Sequence, residues 1–233
     1  LYTMRKNGSR LISVKQYRAT DLVIFAGILI VSELLGYFAT VWFADSAFFT
    51  LSLAIPITCL VIARWGWWGV FYPVIGGITH CLVGKLGLNY YFVHCIGGLF
   101  IILMLLPVKL IGVDKIRKKW YFTALFAIGA WVCVYLGRSV LWAICFAIHP
   151  VDGATVTSGF TGFALDLMSL FAAVAVLLIM RKLDGMFEDQ KSYLKRADKE
   201  RRDRMKYDGF GDEPVEIDEE ALSILNKDND LYK

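Results

Sequence analysis

Apolar residues run along this chain in unbroken blocks, whereas those of a soluble domain alternate with polar positions. Between residues 21 and 180 the blocks are separated only by short polar or charged interruptions. Each meets or approaches the roughly 20 residues that a helix needs to cross the hydrocarbon core of a bilayer. The pattern predicts six membrane-spanning helices, at 21–43, 47–63, 67–83, 90–110, 120–148 and 158–180. A polar, basic arm (1–20) precedes this 21–181 membrane domain. A segment dense in both charges (182–206) follows, its thin apolar stripe of Leu183, Phe187, Leu194 and Ala197 predicting that the sixth helix continues past Arg181. From Tyr207 onward nine acidic residues stand against two lysines, a composition expected of a disordered tail.

Composition agrees with the pattern. Of the 233 residues 57% are hydrophobic, the mean hydropathy is +0.54, and a soluble domain is about 45–50% apolar. The five cysteines (Cys59, Cys81, Cys95, Cys133, Cys145) all lie inside apolar blocks, where they read as small buried hydrophobes rather than disulfide partners. The first 20 residues lack the short apolar core and cleavage site of a signal peptide.

Within the third span, Gly66, Gly69, Pro73, Gly77, His80 and Gly84 are spaced 3, 4, 4, 3 and 4 residues apart, which places them in one stripe on one helix face. Small residues let two helix backbones approach closely in a bilayer, so the stripe is expected to pack against another helix. The Trp-Gly cluster from Trp65 and the neighbouring Arg64 mark an expected membrane interface.

Charge sets the expected orientation. The arm holds five Lys/Arg and the 109–119 loop holds five more, with Arg64 and the segment after Arg181 on the same side. The opposite loops hold only Lys85. By the positive-inside rule both termini are cytoplasmic and the chain is a multi-pass protein of the cell membrane.

Candidate chemistry lies inside the spans. Glu33, His80, His94, Arg138 and Asp166 are ionisable groups in apolar blocks, with His149 and Asp152 just beyond the fifth span. Such residues face protein or a cavity and mark functional positions by default. Two readings stay open for the charges: a structural ion pair of Arg138 with Glu33 or Asp166, or groups that meet a ligand. Tyr90-Tyr91 is either an interfacial belt or a stacking platform. His80-Cys81 and His94-Cys95 suggest metal ligands, but adjacent helical residues point about 100° apart, so no metal site and no cofactor is expected. Phosphate-binding loops and hydrolase motifs such as His-Glu-x-x-His and Gly-x-Ser-x-Gly are missing. The chain is therefore expected not to be an enzyme, and no nucleic-acid partner is expected.

Six spans with both ends inside, the basic loop before the fifth, and Arg64-Trp-Gly-Trp-Trp-Gly-Val leading into a glycine-rich third span resemble the S components of energy-coupling-factor (ECF) transporters. The resemblance covers residues 21–181. It implies an all-α membrane bundle that captures a vitamin-like molecule at its outer face, a flat heterocycle such as a flavin given the 15% aromatic content. A transmembrane coupling subunit and two cytoplasmic ATPases would then drive uptake. The ligand would meet His80, Tyr91, His94, Arg138, Asp166 and Glu33. Members of that family often carry Ala-x-x-x-Ala in the first helix for docking the coupling subunit. Here Ala26 is followed by Ile30, and the nearest substitute is Ser32, Gly36 and Thr40. The other expectation, from a different class, is a membrane anchor in contact with lipid whose cytoplasmic tail recruits a partner.

Overall fold

The computed structural model describes residues 4–6, 9–12, 14–42, 52–148 and 166–207. Apart from a short antiparallel pairing of β1 (Met4–Lys6) with β2 (Ser9–Ile12), the regular structure of these residues is helical. Four helical segments are long and apolar enough to cross a membrane: Val14–Ala39, Ala54–Val83, Leu88–Ile111 and Trp120–Cys145, with Leu167–Met180 a shorter apolar helix. Large apolar side chains cover the outside, among them Val23 at 71% exposure, Leu35 at 64% and Phe171 at 64%. A surface of that kind is stable in lipid and not in water. The chain is an all-α membrane protein.

The chain divides into two compact units, Phe25–Tyr193 and the remainder. In the larger unit the centre is α2 (Ala54–Trp65), every residue of which is buried. A helix that is apolar all round belongs in the middle of a bundle. Pro56 sits in its first turn, where a missing N–H breaks no helical hydrogen bond. The segment 54–83 is not one long span, because it folds back on itself at Gly66, whose φ of 58° and ψ of −118° suit glycine alone. A 3₁₀ turn (Gly66–Phe71) follows, and then α3 (Tyr72–Val83). A methyl group on Gly76 would lie 3.3 Å from Ala54 Cβ, and one on Gly69 would lie 2.5 Å from Ile62 N. Those pairings run in opposite directions along the chain, as in an antiparallel helical hairpin. The interface expected at Arg64 is thus a chain reversal.

The glycine stripe serves two neighbours. Gly69 meets α2, while Gly77 faces the next segment, where a methyl group would stand 2.9 Å from the His94 carbonyl carbon. Gly66 and Gly84 fall at helix ends instead of on the packing face. The segment Leu88–Ile111 is irregular: α4 (Leu88–Tyr91), a π turn (Phe92–Ile96), a 3₁₀ turn (Leu99–Met104) and α5 (Leu105–Ile111). The basic loop contains a short helix, α6 (Val113–Lys118), and α7 then runs Trp120–Ile148, the bounds the pattern predicts. Gly97 and Gly137 bring the π-turn segment and α7 into backbone contact. A methyl group on Gly97 would lie 2.8 Å from Arg138 Cα, and one on Gly137 would overlap the Gly97 carbonyl oxygen.

Two expectations are corrected. The first helix, α1 (Val14–Trp42), begins seven residues earlier than predicted, since nothing in the basic stretch before Asp21 breaks a helix. The sixth helix does not continue past Arg181. After α8 (Leu167–Met180) the chain turns through 181–189, with Gly185 at φ 73°. A new helix, α9 (Gln190–Tyr207), starts where the Asp189 carboxylate accepts hydrogen bonds from the Ser192 N–H and hydroxyl. This turn is fastened to the rest of the unit. Arg64 donates to the Gly185 and Met186 carbonyls. Arg117 donates to Asp184 (2.5 Å), Glu188 (3.0 Å) and the Arg181 carbonyl (3.1 Å). Phe187 and Gln190 are fully buried behind these contacts. The expected acidic tail, apart from Tyr207, lies outside the described residues, as do His149, Asp152 and the predicted parts of the second and sixth spans at 47–51 and 158–165.

Gly137→Ala is expected to cost about 1–3 kcal/mol, because backbone on the facing segment cannot yield to a new methyl group. Gly87→Ala, with nothing within 4 Å of the added carbon, is expected to stay within about 0.5 kcal/mol of the parent. Thermal denaturation of both variants in one detergent checks this, and equal melting temperatures would remove the close contact from the account.

Candidate functional site

The polar residues of the spans meet at one end of the larger unit. The close approach at Gly97 and Gly137 sets Arg138 of α7 beside the π turn, which carries His94. A π turn widens the helix locally and re-aims its side chains, and such turns recur at functional positions. The Gly77 contact brings α3 onto the same turn, so that the His80 and His94 rings lie 4.8 Å apart. On the other side of His94, Tyr90 stacks at 6.5 Å with an interplanar angle of 17°, and Tyr90 in turn lies 5.4 Å from Trp142. Trp142 stands four residues after Arg138, on the same face of α7. The guanidinium of Arg138 lies 5.3 Å from the Tyr135 ring centre, a cation–π contact one turn back along the helix.

A second set of contacts reaches the acids. Glu33 of α1 is buried. Its Oε1 accepts a hydrogen bond of 2.5 Å from the Ser52 hydroxyl, and its Oε2 lies 3.9 Å from His80 Nδ1. The Ser52 oxygen accepts from the Ala54 N–H at 3.2 Å, which directs the hydroxyl proton toward Glu33. The Ser52 N–H donates to Ser169 Oγ at 2.9 Å, and the Ser169 hydroxyl donates to Asp166 Oδ1 at 2.5 Å. Asp166 and Ser169 are buried in the first turn of α8, where the Asp166 carbonyl accepts the Ser169 and Leu170 N–H groups. One chain of hydrogen bonds thus joins Asp166, Ser169, Ser52 and Glu33 across three segments.

Arg138 is the one guanidinium of the cluster. Yet among the described residues no carboxylate stands within ion-pairing distance of it, and its buried Nε has no hydrogen-bond partner. The expected ion pair with Glu33 or Asp166 is not formed among these residues: each acid takes a serine hydroxyl instead. His94 Nδ1 and Trp142 Nε1 are also buried without a hydrogen-bond partner. Buried polar atoms in native proteins are nearly always satisfied, and three of those without a partner among the described residues lie together in this cluster.

Of the predicted site residues, His80, His94, Arg138 and Glu33 come together here, with Asp166 joined through the serines. Tyr90, not Tyr91, makes the ring contacts to His94 and Trp142, because the helical turn leading into the π segment aims position 90 at the cluster. Ser32 and Gly36 are buried within the unit, Ser32 donating to the Leu29 carbonyl at 2.8 Å, so neither lies on the outer face of α1; of Thr40 only the helical backbone is described. Ser52, Tyr135, Trp142 and Ser169 were not singled out by the sequence, and Tyr90 only as half of the Tyr90-Tyr91 pair. The fourfold spacing of Arg138 and Trp142 was the one available signal. Among the described residues no group of three His, Cys, Asp or Glu side chains is gathered as a metal ion requires.

Compared with known proteins, the chain matches no family model, no curated protein and no solved structure. The likeness to ECF S components therefore rests on the sequence features alone.

Ser52→Ala is expected to destabilise the protein by about 1–3 kcal/mol, since it strips a buried carboxylate of its donor. Combining it with Glu33→Gln should cost less than the sum of the single changes, as expected for residues in direct contact. Melting temperatures of the two single variants and the double variant test this; strict additivity would mean that the Ser52–Glu33 contact carries no energy.

Proposed function

We propose that this protein is a substrate-capture membrane subunit of the ECF type. In this reading it spans the cell membrane six times with both termini in the cytoplasm. It takes up a small vitamin-like molecule at the end of the bundle that carries Glu33, His80, His94 and Arg138. The observation that carries the reading is the convergence of three buried, unpartnered polar atoms (Arg138 Nε, His94 Nδ1 and Trp142 Nε1) with the rings of Tyr90, Trp142, His80 and His94. A few placed polar groups among aromatic walls is the make-up of small-molecule sites. Charges buried in a bilayer cost a few kcal/mol each, which a simple anchor has no need to bear. Energy for uptake would come from a transmembrane coupling subunit and two ATPases.

Binding is then a property of the isolated chain, and uptake requires the added subunits. A fluorescence titration with a vitamin panel should find a ligand whose binding is weakened about 5- to 150-fold in His80→Ala and Arg138→Met, the loss of one hydrogen bond to a buried ligand group. Truncation after Lys206 should leave that binding unchanged. If no member of the panel binds, or if truncation alone abolishes binding, the chain is better read as a membrane anchor that works through its tail. The sidedness has its own check. A cysteine at Ser46 or Asp152, in a chain cleared of native cysteines, should react with an impermeant maleimide in whole cells, and one at Ser192 should not. Labelling at Ser192 from outside would reverse the orientation.

A further inference from the structure

The way the cluster distributes its hydrogen bonds narrows the class of ligand, an inference that rests on the capture reading. Two buried carboxylates and one guanidinium share this end of the unit, and mutual neutralisation would be the ordinary outcome. It does not occur. The Ser52 oxygen is committed as acceptor to the Ala54 N–H and the Ser169 oxygen to the Ser52 N–H, so each hydroxyl proton is left for a carboxylate. Glu33 and Asp166 are thereby held as acceptors by serines. Arg138 keeps a cation–π contact with Tyr135 and has no acceptor at Nε. Trp142, one turn further along the same face, adds an indole N–H that also lacks an acceptor. An indole N–H and a guanidinium can only donate. Aromatic rings border these donors: Tyr90 stacked on His94 and tilted against Trp142, and His94 tilted against His80.

We propose that Arg138 is the seat for the carboxylate of a planar, monovalent aromatic ligand, with Trp142 donating a further hydrogen bond and Tyr90 and the two histidines flanking the ring. A guanidinium binds a carboxylate through two parallel N–H···O bonds, a planar match to a planar acid. A single negative charge suits one guanidinium. A phosphate dianion would carry a second charge that one guanidinium leaves uncompensated in an apolar site. His80 forms the rim: its side chain is 46% exposed and borders both Glu33 and His94.

The test uses 2-naphthoate and 2-naphthamide, which share a ring and differ in charge, titrated by their own fluorescence into the full-length protein in lipid nanodiscs. The parent should bind the acid at least ten times more tightly than the amide. Arg138→Met should bring the two within twofold, and Arg138→Lys should restore part of the preference. Trp142→Phe should weaken the acid and leave ring stacking in place, which keeps the proposal testable if Arg138→Met fails to fold. Equal binding of acid and amide by the parent, binding of neither, or a preference that survives in Arg138→Met would overturn the assignment. Native mass spectrometry of the purified parent separates this failure from that of the capture reading. A neutral or cationic molecule found bound would leave capture standing and remove the anion seat. A naphthoate preference without any ligand-dependent uptake when the coupling subunits are added would do the reverse.

Discussion

The contact on which this structure depends is the one between Gly97 and Gly137, where two helical segments touch backbone to backbone. In a bilayer lipid tails are as apolar as leucine, so helices are held together by packing and hydrogen bonds instead of by exclusion from water. A side chain at either glycine would push α7 away from the π turn. Arg138 would then stand apart from His94, and Trp142 apart from Tyr90. The Gly77 contact acts in the same way on α3 and brings His80 within 4.8 Å of His94. Three glycines on three elements therefore determine where the polar groups of the site can be.

The two ends of the larger unit solve the problem of buried charge differently. Around 181–189 two arginines reach partners: Arg117 takes Asp184 and Glu188, and Arg64 takes two carbonyls. That end is a lock, in which a turn is pinned to α2 and α6 and a new helix starts from a capped Asp189. At the other end the acids are bonded to serines and the arginine is left with an aromatic ring. Arg117 is paired with carboxylates, while Arg138 has none within ion-pairing distance among the described residues, and the proposed capture site rests on that contrast.

Much of the fold was legible because a bilayer imposes a simple pattern. Trp120–Ile148 stands out with Arg138 as its one charged residue, and the segment reads directly as a helix. The packing role of Gly77 follows from spacing alone, and the grouping of His80, His94, Arg138 and Glu33 follows from their being ionisable in apolar surroundings. The rest depends on contacts between segments distant in sequence. Ser52 and Ser169 look like ordinary polar residues near span ends, and only the fold sets them between Glu33 and Asp166, 117 positions apart from each other. The choice of Tyr90 over Tyr91 turns on the helical phase entering a π turn, which no residue spacing announces. The break at Gly185 was hidden because the flanking apolar residues keep a helical rhythm through a turn whose stability comes from Arg64 and Arg117.

The central claim is that the unpartnered donors of Arg138 and Trp142 meet a ligand. An experimental density map of the protein extracted gently from its own membrane tests this most directly. The account predicts a planar density of small-molecule size within hydrogen-bonding distance of the Arg138 guanidinium and the Trp142 indole nitrogen, with Glu33 still held by Ser52. A map in which Arg138 closes onto Glu33 as an ion pair, with no small-molecule density beside the Trp142 indole nitrogen, would contradict it.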